Sequence, residues 1–398
     1  MVSRKTIAVG AALGLAALGA WVVATNAQQG APRGAVPLDG RLSLGKAAVY
    51  RNLALFPIYD SGAKIGDEYI TLDEGLKAGA VKVKESKDGG TVNTLYVTNS
   101  GKKPLYIMAG EVVLGGQQDR TLGRDQIVSA GKKDVPVTVF CVEHGRWSGR
   151  SEFGQSAPTV AGKDIRAYAM NGEFDAAKSR IAARARVATP SATAGAPGQI
   201  AGSVNRAQSQ SAASADEPGD HVAKAQQQVW DGVAAKNAKL KIENATGTYR
   251  DALIMKGGNA QTSMPAYVKS LSGSLGSDPH LVGVVAAVNG KVIAADSFSD
   301  PSLFRKLWPK LLRSYAADAV EQASDSAGAA RSKTTITARE VKTFIANAKN
   351  EKSKEENVTA EGRVRRYDSK AADVYSLIPD KAGAGAAAKP LHESVISK

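Results

Sequence analysis

The residues whose types and spacing could carry chemistry concentrate between Gly110 and Trp147. Read as one strand, PLYIMAGEVVLGG places Glu111 on the face shared by Ile107, Ala109 and Val113, because side chains alternate with period two. A carboxylate among apolar neighbours must find a cation or hydrogen-bond donors, or else titrate higher than usual. Directly after it, Gly115-Gly116-Gln117-Gln118-Asp119-Arg120 forms a glycine turn into a polar cluster, with Arg124 four residues on. Glycine lets backbone approach a ligand closely, and the arginine fork matches phosphate or carboxylate oxygens. In PVTVFCVEHGRW, Glu143 shares a face with Val139 and Cys141, and Arg146 and Trp147 follow at once. One reading is a single pocket, in which Glu111 and Glu143 act as acid, base or acceptors for ribose hydroxyls while Arg120 and Arg146 hold an anion. The other is structural: Glu111 pairs with Arg146, or Glu143 with Arg120, to satisfy buried charge.

Other chemistries find little support. Cys141 lies mid-strand in an apolar run and reads as a small core residue, and as the only cysteine it excludes an intrachain disulfide. His144, His221, His280 and His392 show no metal-ligand spacing, so no metal site is expected. There is no phosphate loop, dinucleotide fingerprint or nucleophile elbow, and hence no cofactor is expected. The formal charge of +14 favours anionic partners. The basic residues are scattered, without an arm or interleaved aromatics, which argues against nucleic acid.

Positioning these residues falls to a mixed fold. Residues 1–27 read as an export signal, with Arg4 and Lys5 ahead of an apolar run from Ile7 to Ala24 and small residues at Thr25-Asn26-Ala27. The alternative is an amino-terminal anchor, the only membrane contact expected. Residues 28–46 read as a linker, 47–380 as an α+β domain, and 381–398 as a flexible tail. The domain is antiparallel and β-rich at first. LALFPI, the helix after Thr71 and Glu74, VKVK, TLYVTN, the Glu111 strand and PVTVFCVE make a meander of hairpins. The stretch 189–220 is Ala, Ser, Gly, Gln and Pro with almost no large apolar residue, and reads as a disordered insert. Amphipathic helices then follow around Trp230, from Asp300 to Tyr315 and around Phe344. Between them, LVGVVAAV and KVIAADSF flank Asn289-Gly290 as a tight hairpin, and after the last helix RVRRYD and DVYSLIP read as edge strands.

Three segments together, GEVVLGGQQDR, PVTVFCVEHGRW and SFSDPSLFRKLWPKLLRSYAADA, resemble the bacterial family named for its association with ADP-ribosylglycohydrolases and the rhodanese-phosphatase superfamily. The resemblance runs from about Ala47 to Ser151 and from His221 to Ala319, and Gly110, Glu111, Gly115, Gly116, Gln117, Arg120, Glu143, Arg146 and Trp147 fit its pattern. It implies a link to ADP-ribose, NAD-derived or other phosphorylated compounds. The residues assign no reaction. The expectation is an exported binding domain for a small anionic ligand; the alternative is a non-enzymatic envelope module that binds proteins or serves structure.

Overall fold

The computed structural model describes residues 34–63, 65–66, 68–86, 92–146, 148–149, 151–188, 218–254, 260–325, 336–350, 354–359, 361–380 and 389–398. The expected leader, Trp147 and positions 189–217 of the expected insert lie outside these residues.

The described residues open with four strands of one large sheet, β1 (Val36–Asp39), β2 (Leu42–Leu44), β3 (Ala48–Tyr50) and β4 (Leu53–Asp60). After β5 (Ile70–Thr71), the helix α1 (Leu72–Lys77) starts on the expected capping box, with the Thr71 hydroxyl accepting from the Glu74 amide and the Glu74 carboxylate reaching back to the Thr71 amide. β6 (Val81–Lys84), β7 (Thr94–Asn99), β8 (Leu105–Ile107), β9 (Glu111–Gly115), β10 (Arg120–Leu122), β11 (Gln126–Val128), β12 (Val135–Cys141) and β13 (Glu152–Val160) follow. Four helices come next, α2 (Lys163–Ala188), α3 (Pro218–Lys239), α4 (Arg250–Leu253) and α5 (Ala260–Leu271), and then the hairpin β14 (Leu281–Val288) and β15 (Lys291–Phe298). α6 (Pro301–Asp325), α7 (Ala338–Ala348), β16 (Lys354–Thr359), β17 (Gly362–Asp368), β18 (Ala372–Pro379) and β19 (His392–Ser397) complete the fold.

The protein is therefore α+β, and among the described residues its strands form three sheets. β10-β12-β7-β6-β13-β9 close into a barrel, β11-β8-β5 make a small sheet, and the remainder join the large sheet in the order β1-β2-β4-β14-β15-β19-β18-β17-β16, with β3 on β4. Val83, Leu95, Val97, Val113, Leu122, Val139 and Phe153 fill the barrel. The centre of the large sheet is buried on both faces, which is why LALFPI and LVGVVAAV are apolar without alternation. On one face Leu55, Val284 and Ala286 meet α2, α3, α5 and α6; on the other Phe56, Val285 and Val395 meet Val341 and Ile345 of α7. Among the described residues no helix is long and apolar enough to cross a membrane.

The Asn289-Gly290 turn forms as expected, with both residues at positive φ (50° and 75°) between β14 and β15. α6 presents the expected face of Leu303, Phe304, Leu307, Leu311 and Tyr315 and continues unbroken through Pro309. α2 also runs through Asn171-Gly172, where a Cβ on Gly172 would stand 2.1 Å from the Ala225 Cβ of α3: this glycine sets a close helix crossing.

Five expectations are corrected. Residues 36–44 are not linker, because β1 and β2 extend the large sheet. Residues 392–397 are not a flexible tail, because β19 lies between β15 and β18 with His392, Ser394, Val395 and Ile396 buried. RVRRYD and DVYSLIP are interior strands rather than edges, since β17 is paired by β16 and β18, and β18 by β17 and β19. The β-rich region is not a simple meander: β4 pairs with β14 over 200 residues away in sequence and β5 pairs with β8 in parallel. Finally PLYIMAGEVVLGG is two strands, broken where Gly110 takes φ 84° and the Glu111 amide donates back to the Met108 carbonyl.

Candidate functional site

The break at Gly110 sets the fate of Glu111. It places the carboxylate at the start of β9, fully buried, where it accepts from the Met108 amide at 3.0 Å and from the Lys310 ammonium of α6 at 2.7 Å. Lys310 also reaches Asp73 at 2.9 Å and the Ser156 hydroxyl at 2.8 Å. Burial alone would pull the Lys310 ammonium down, but Glu111 and Asp73 outweigh it and hold it above its ordinary value.

Glu143 lies beside the opposite end of β9, a five-residue strand about 13 Å long. There Arg146 clasps the glycine turn. Its guanidinium donates to the Gly116 carbonyl at 2.9 Å and the Gly115 carbonyl at 3.3 Å, and meets Glu143 at 2.7 Å and Asp119 at 3.3 Å. Glu143 also accepts from the Thr246 hydroxyl at 2.8 Å, and Asp119 accepts from the Gly115 amide at 2.9 Å. Burial lifts the Asp119 carboxyl above its ordinary value, since two acids share one arginine. Arg120 shares its register with Val113 and Cys141, almost wholly buried; it donates to the Gln118 side chain at 2.9 Å and pairs with Glu85 at 3.8 Å. The Gln117 amide donates to Glu85. Burial pushes the Cys141 thiol up, which fits a core residue.

The structure thus brings Gly115, Gly116, Glu143 and Arg146 together, keeps Arg120 and Gln117 close by through Glu85, and sets Glu111 apart. The carboxylates are engaged from within the protein, but by partners other than those foreseen: Lys310 for Glu111, and Arg146 for Glu143.

A second polar assembly escapes sequence reading. His392, at the start of β19, holds Asp125 through Nδ1 at 2.6 Å and Asp296 of β15 through Nε2 at 3.1 Å. Asp296 also receives both terminal nitrogens of Arg166 from α2, at 2.7 and 3.1 Å, together with the Tyr315 hydroxyl from α6. Asp125 closes the chain by accepting from the Ala109 amide at 2.8 Å. All of these side chains are buried, so two carboxylates balance an imidazolium and a guanidinium away from water. Burial opposes the charge on His392, yet Asp125 and Asp296 raise it to about 9. Burial would likewise raise Asp296, but Arg166 and His392 hold it far below the carboxylate range. Five separate segments supply the group; the one sequence signal was Asp296 among the alanines of KVIAADSF.

Above this assembly the large sheet carries an open basin. The Phe298 ring stacks on His392 with centroids 4.3 Å apart and also lines the basin wall. In cross-strand register, Ser297, Glu393, Ser376 and Arg365 form a polar row across β15, β19, β18 and β17. Around this row a cavity of about 430 Å3 is bounded by Asp39, Arg41, Asp60, Lys349, Tyr367 and Lys389, with Asp39 facing the Lys349 end. Arg41 and Lys389 both pair with the single buried carboxylate of Asp60, at 3.1 and 2.9 Å, and about half of each cation's side chain stays in solvent. Burial opposes ionisation of Asp60, but Lys389, the Gly62 amide and Arg41 hold it below its ordinary value. At the other end Lys349 pairs with Glu393 at 2.6 Å.

A family model described as ARG and Rhodanese-Phosphatase-superfamily-associated Protein domain matches residues 41–392. No curated protein and no solved structure matches the chain.

Proposed function

This chain belongs to the ARG and Rhodanese-Phosphatase-superfamily-associated Protein domain family, and from that premise and the basin we propose that it is a binding protein for a small anionic, hydroxyl-bearing ligand of the ADP-ribose or sugar-phosphate kind. One observation carries the reading: at the Asp60 end two half-exposed cations share one carboxylate, so the rim keeps a surplus positive charge beside an open cavity of about 430 Å3. That volume is in the range of small-molecule sites. A phosphate would sit on Arg41 and Lys389, while the hydroxyls of Ser297 and Ser376 and the Glu393 carboxylate offer partners to a sugar. The amino-terminal leader would put this binding outside the cytoplasm.

A second reading keeps the protein as a non-enzymatic interaction or structural module. The observation behind it is that the Glu111–Lys310 pair and the Arg146 clasp are satisfied internally. Thermal shifts of the full chain separate the two. ADP-ribose, ribose 5-phosphate or inorganic phosphate at saturating concentration should raise Tm by several degrees, because a ligand present at about 100 times its Kd stabilises the native state by about 2.7 kcal/mol. No shift with any of the three would leave the second reading standing.

A further inference from the structure

A different cavity, of about 500 Å3, opens between α4, α5 and α6. Its walls are Leu253 and Ile254 at the end of α4 and Met264 and Val268 on α5. Leu253 and Met264 belong to the main core, so the hollow reaches into that core, while Ile254 stays 37% exposed. Pro158, Pro265, Lys269 of α5 and Arg313 of α6 complete the lining, both cations are exposed, and no carboxylate takes part. Among the described residues neither cation has a hydrogen-bond or ion-pair partner, whereas in the basin Arg41 and Lys389 share Asp60 and Lys349 pairs with Glu393.

An apolar hollow with two unmatched cations at its edge is complementary to a molecule with an aliphatic body and one anionic head. The apolar wall gains from removing methylene groups from water, and the cations gain from a carboxylate where no acid of the described chain competes. A phosphorylated sugar fits poorly, because the wall offers its hydroxyls no partner. We propose that this cavity binds a single-chain carboxylate amphiphile, with its chain along Leu253, Ile254, Met264 and Val268 and its head group at Lys269 and Arg313. The site is independent of the basin.

Calorimetric titration of the full chain with decanoate, below its micelle concentration, tests the assignment. Saturable binding is expected, with affinity falling about fourfold for each methylene removed from the buried chain, as in octanoate and hexanoate. Lys269→Glu/Arg313→Glu should weaken decanoate at least tenfold with an unchanged melting midpoint, since both side chains are exposed and unmatched. Ile254→Asp should weaken it from the apolar side, and Arg41→Ala in the basin should leave it unchanged. Absent saturable decanoate binding, equal binding of decyltrimethylammonium, or indifference to the Lys269/Arg313 double variant would overturn the proposal.

Discussion

Replacing His392 with glutamine perturbs a buried group whose charge changes in an accessible pH range. In the folded protein the imidazolium is held up to about 9 against an ordinary value of 6.5. The stabilisation from its charge is therefore complete below about pH 6.5, where folded and unfolded chains both carry the proton. It falls as pH rises, because the unfolded chain releases the proton first, and it is gone above about pH 9. The gap corresponds to about 3 kcal/mol, lost at up to about 1.4 kcal/mol per pH unit. Asp296 works in the opposite sense: its depressed value adds stability that is present above the ordinary 3.8 and lost as pH falls below it. The two together put the plateau of this assembly between about pH 4 and 6.5. His392→Gln leaves Asp125 and Asp296 with Arg166 as their one cation, so at pH 6 it should cost about 3 kcal/mol or more. Urea midpoints measured from pH 5 to 9.5 for both proteins give the difference directly, cancelling titrations elsewhere in the chain. The wild-type advantage should shrink steadily between pH 6.5 and 9; an advantage constant across that interval would refute the reasoning.

Three further outcomes follow from the packing. Glu111→Gln leaves the buried Lys310 ammonium with the half-exposed Asp73 as its remaining acid and should cost about 1–3 kcal/mol in urea titration, Lys310→Met strands the buried Glu111 and should cost about 3 kcal/mol, and the double variant should cost less than the two combined; additive losses would show that the pair is not coupled. Gly290→Val forces a branched residue into φ 75° and should cost about 1 kcal/mol or more, read as a lower denaturation midpoint. Gly172→Ala puts a methyl group into the α2–α3 crossing and should cost about 1–3 kcal/mol by overpacking; an unchanged midpoint would mean that the helices part without penalty.

What was legible in the sequence was local. The Thr71–Glu74 capping box and the Asn289-Gly290 turn form because their determinants lie within four residues, and the α6 face follows from helical spacing alone. Buried charge was legible as a requirement but not as a geometry: Glu111 had to find a cation, and the one it finds, Lys310, is 199 residues away. The separation of Glu111 from Glu143 depends on the strand interruption at Gly110 and on the barrel register, which alternation in one strand does not encode. β19 was hidden because six residues after a Gly/Ala-rich stretch become a central strand when β15 and β18 leave a slot for them. His392 looked isolated for the same reason, since its partners Asp125 and Asp296 come from distant segments. The basin is likewise a product of register, its polar row being drawn from four strands that meet in the sheet.

Calorimetric titration of ADP-ribose into the wild-type full chain and into Arg41→Ala, Lys389→Ala and Glu111→Gln tests the binding account most directly. The two basin variants are taken singly so that the buried Asp60 keeps one cation in each. The account predicts saturable binding to the wild type, a loss of about tenfold or more in either basin variant through the missing charge-assisted contact, and unaltered affinity in Glu111→Gln. Binding abolished by Glu111→Gln and untouched by both basin variants would contradict it and return the ligand to the strand cluster.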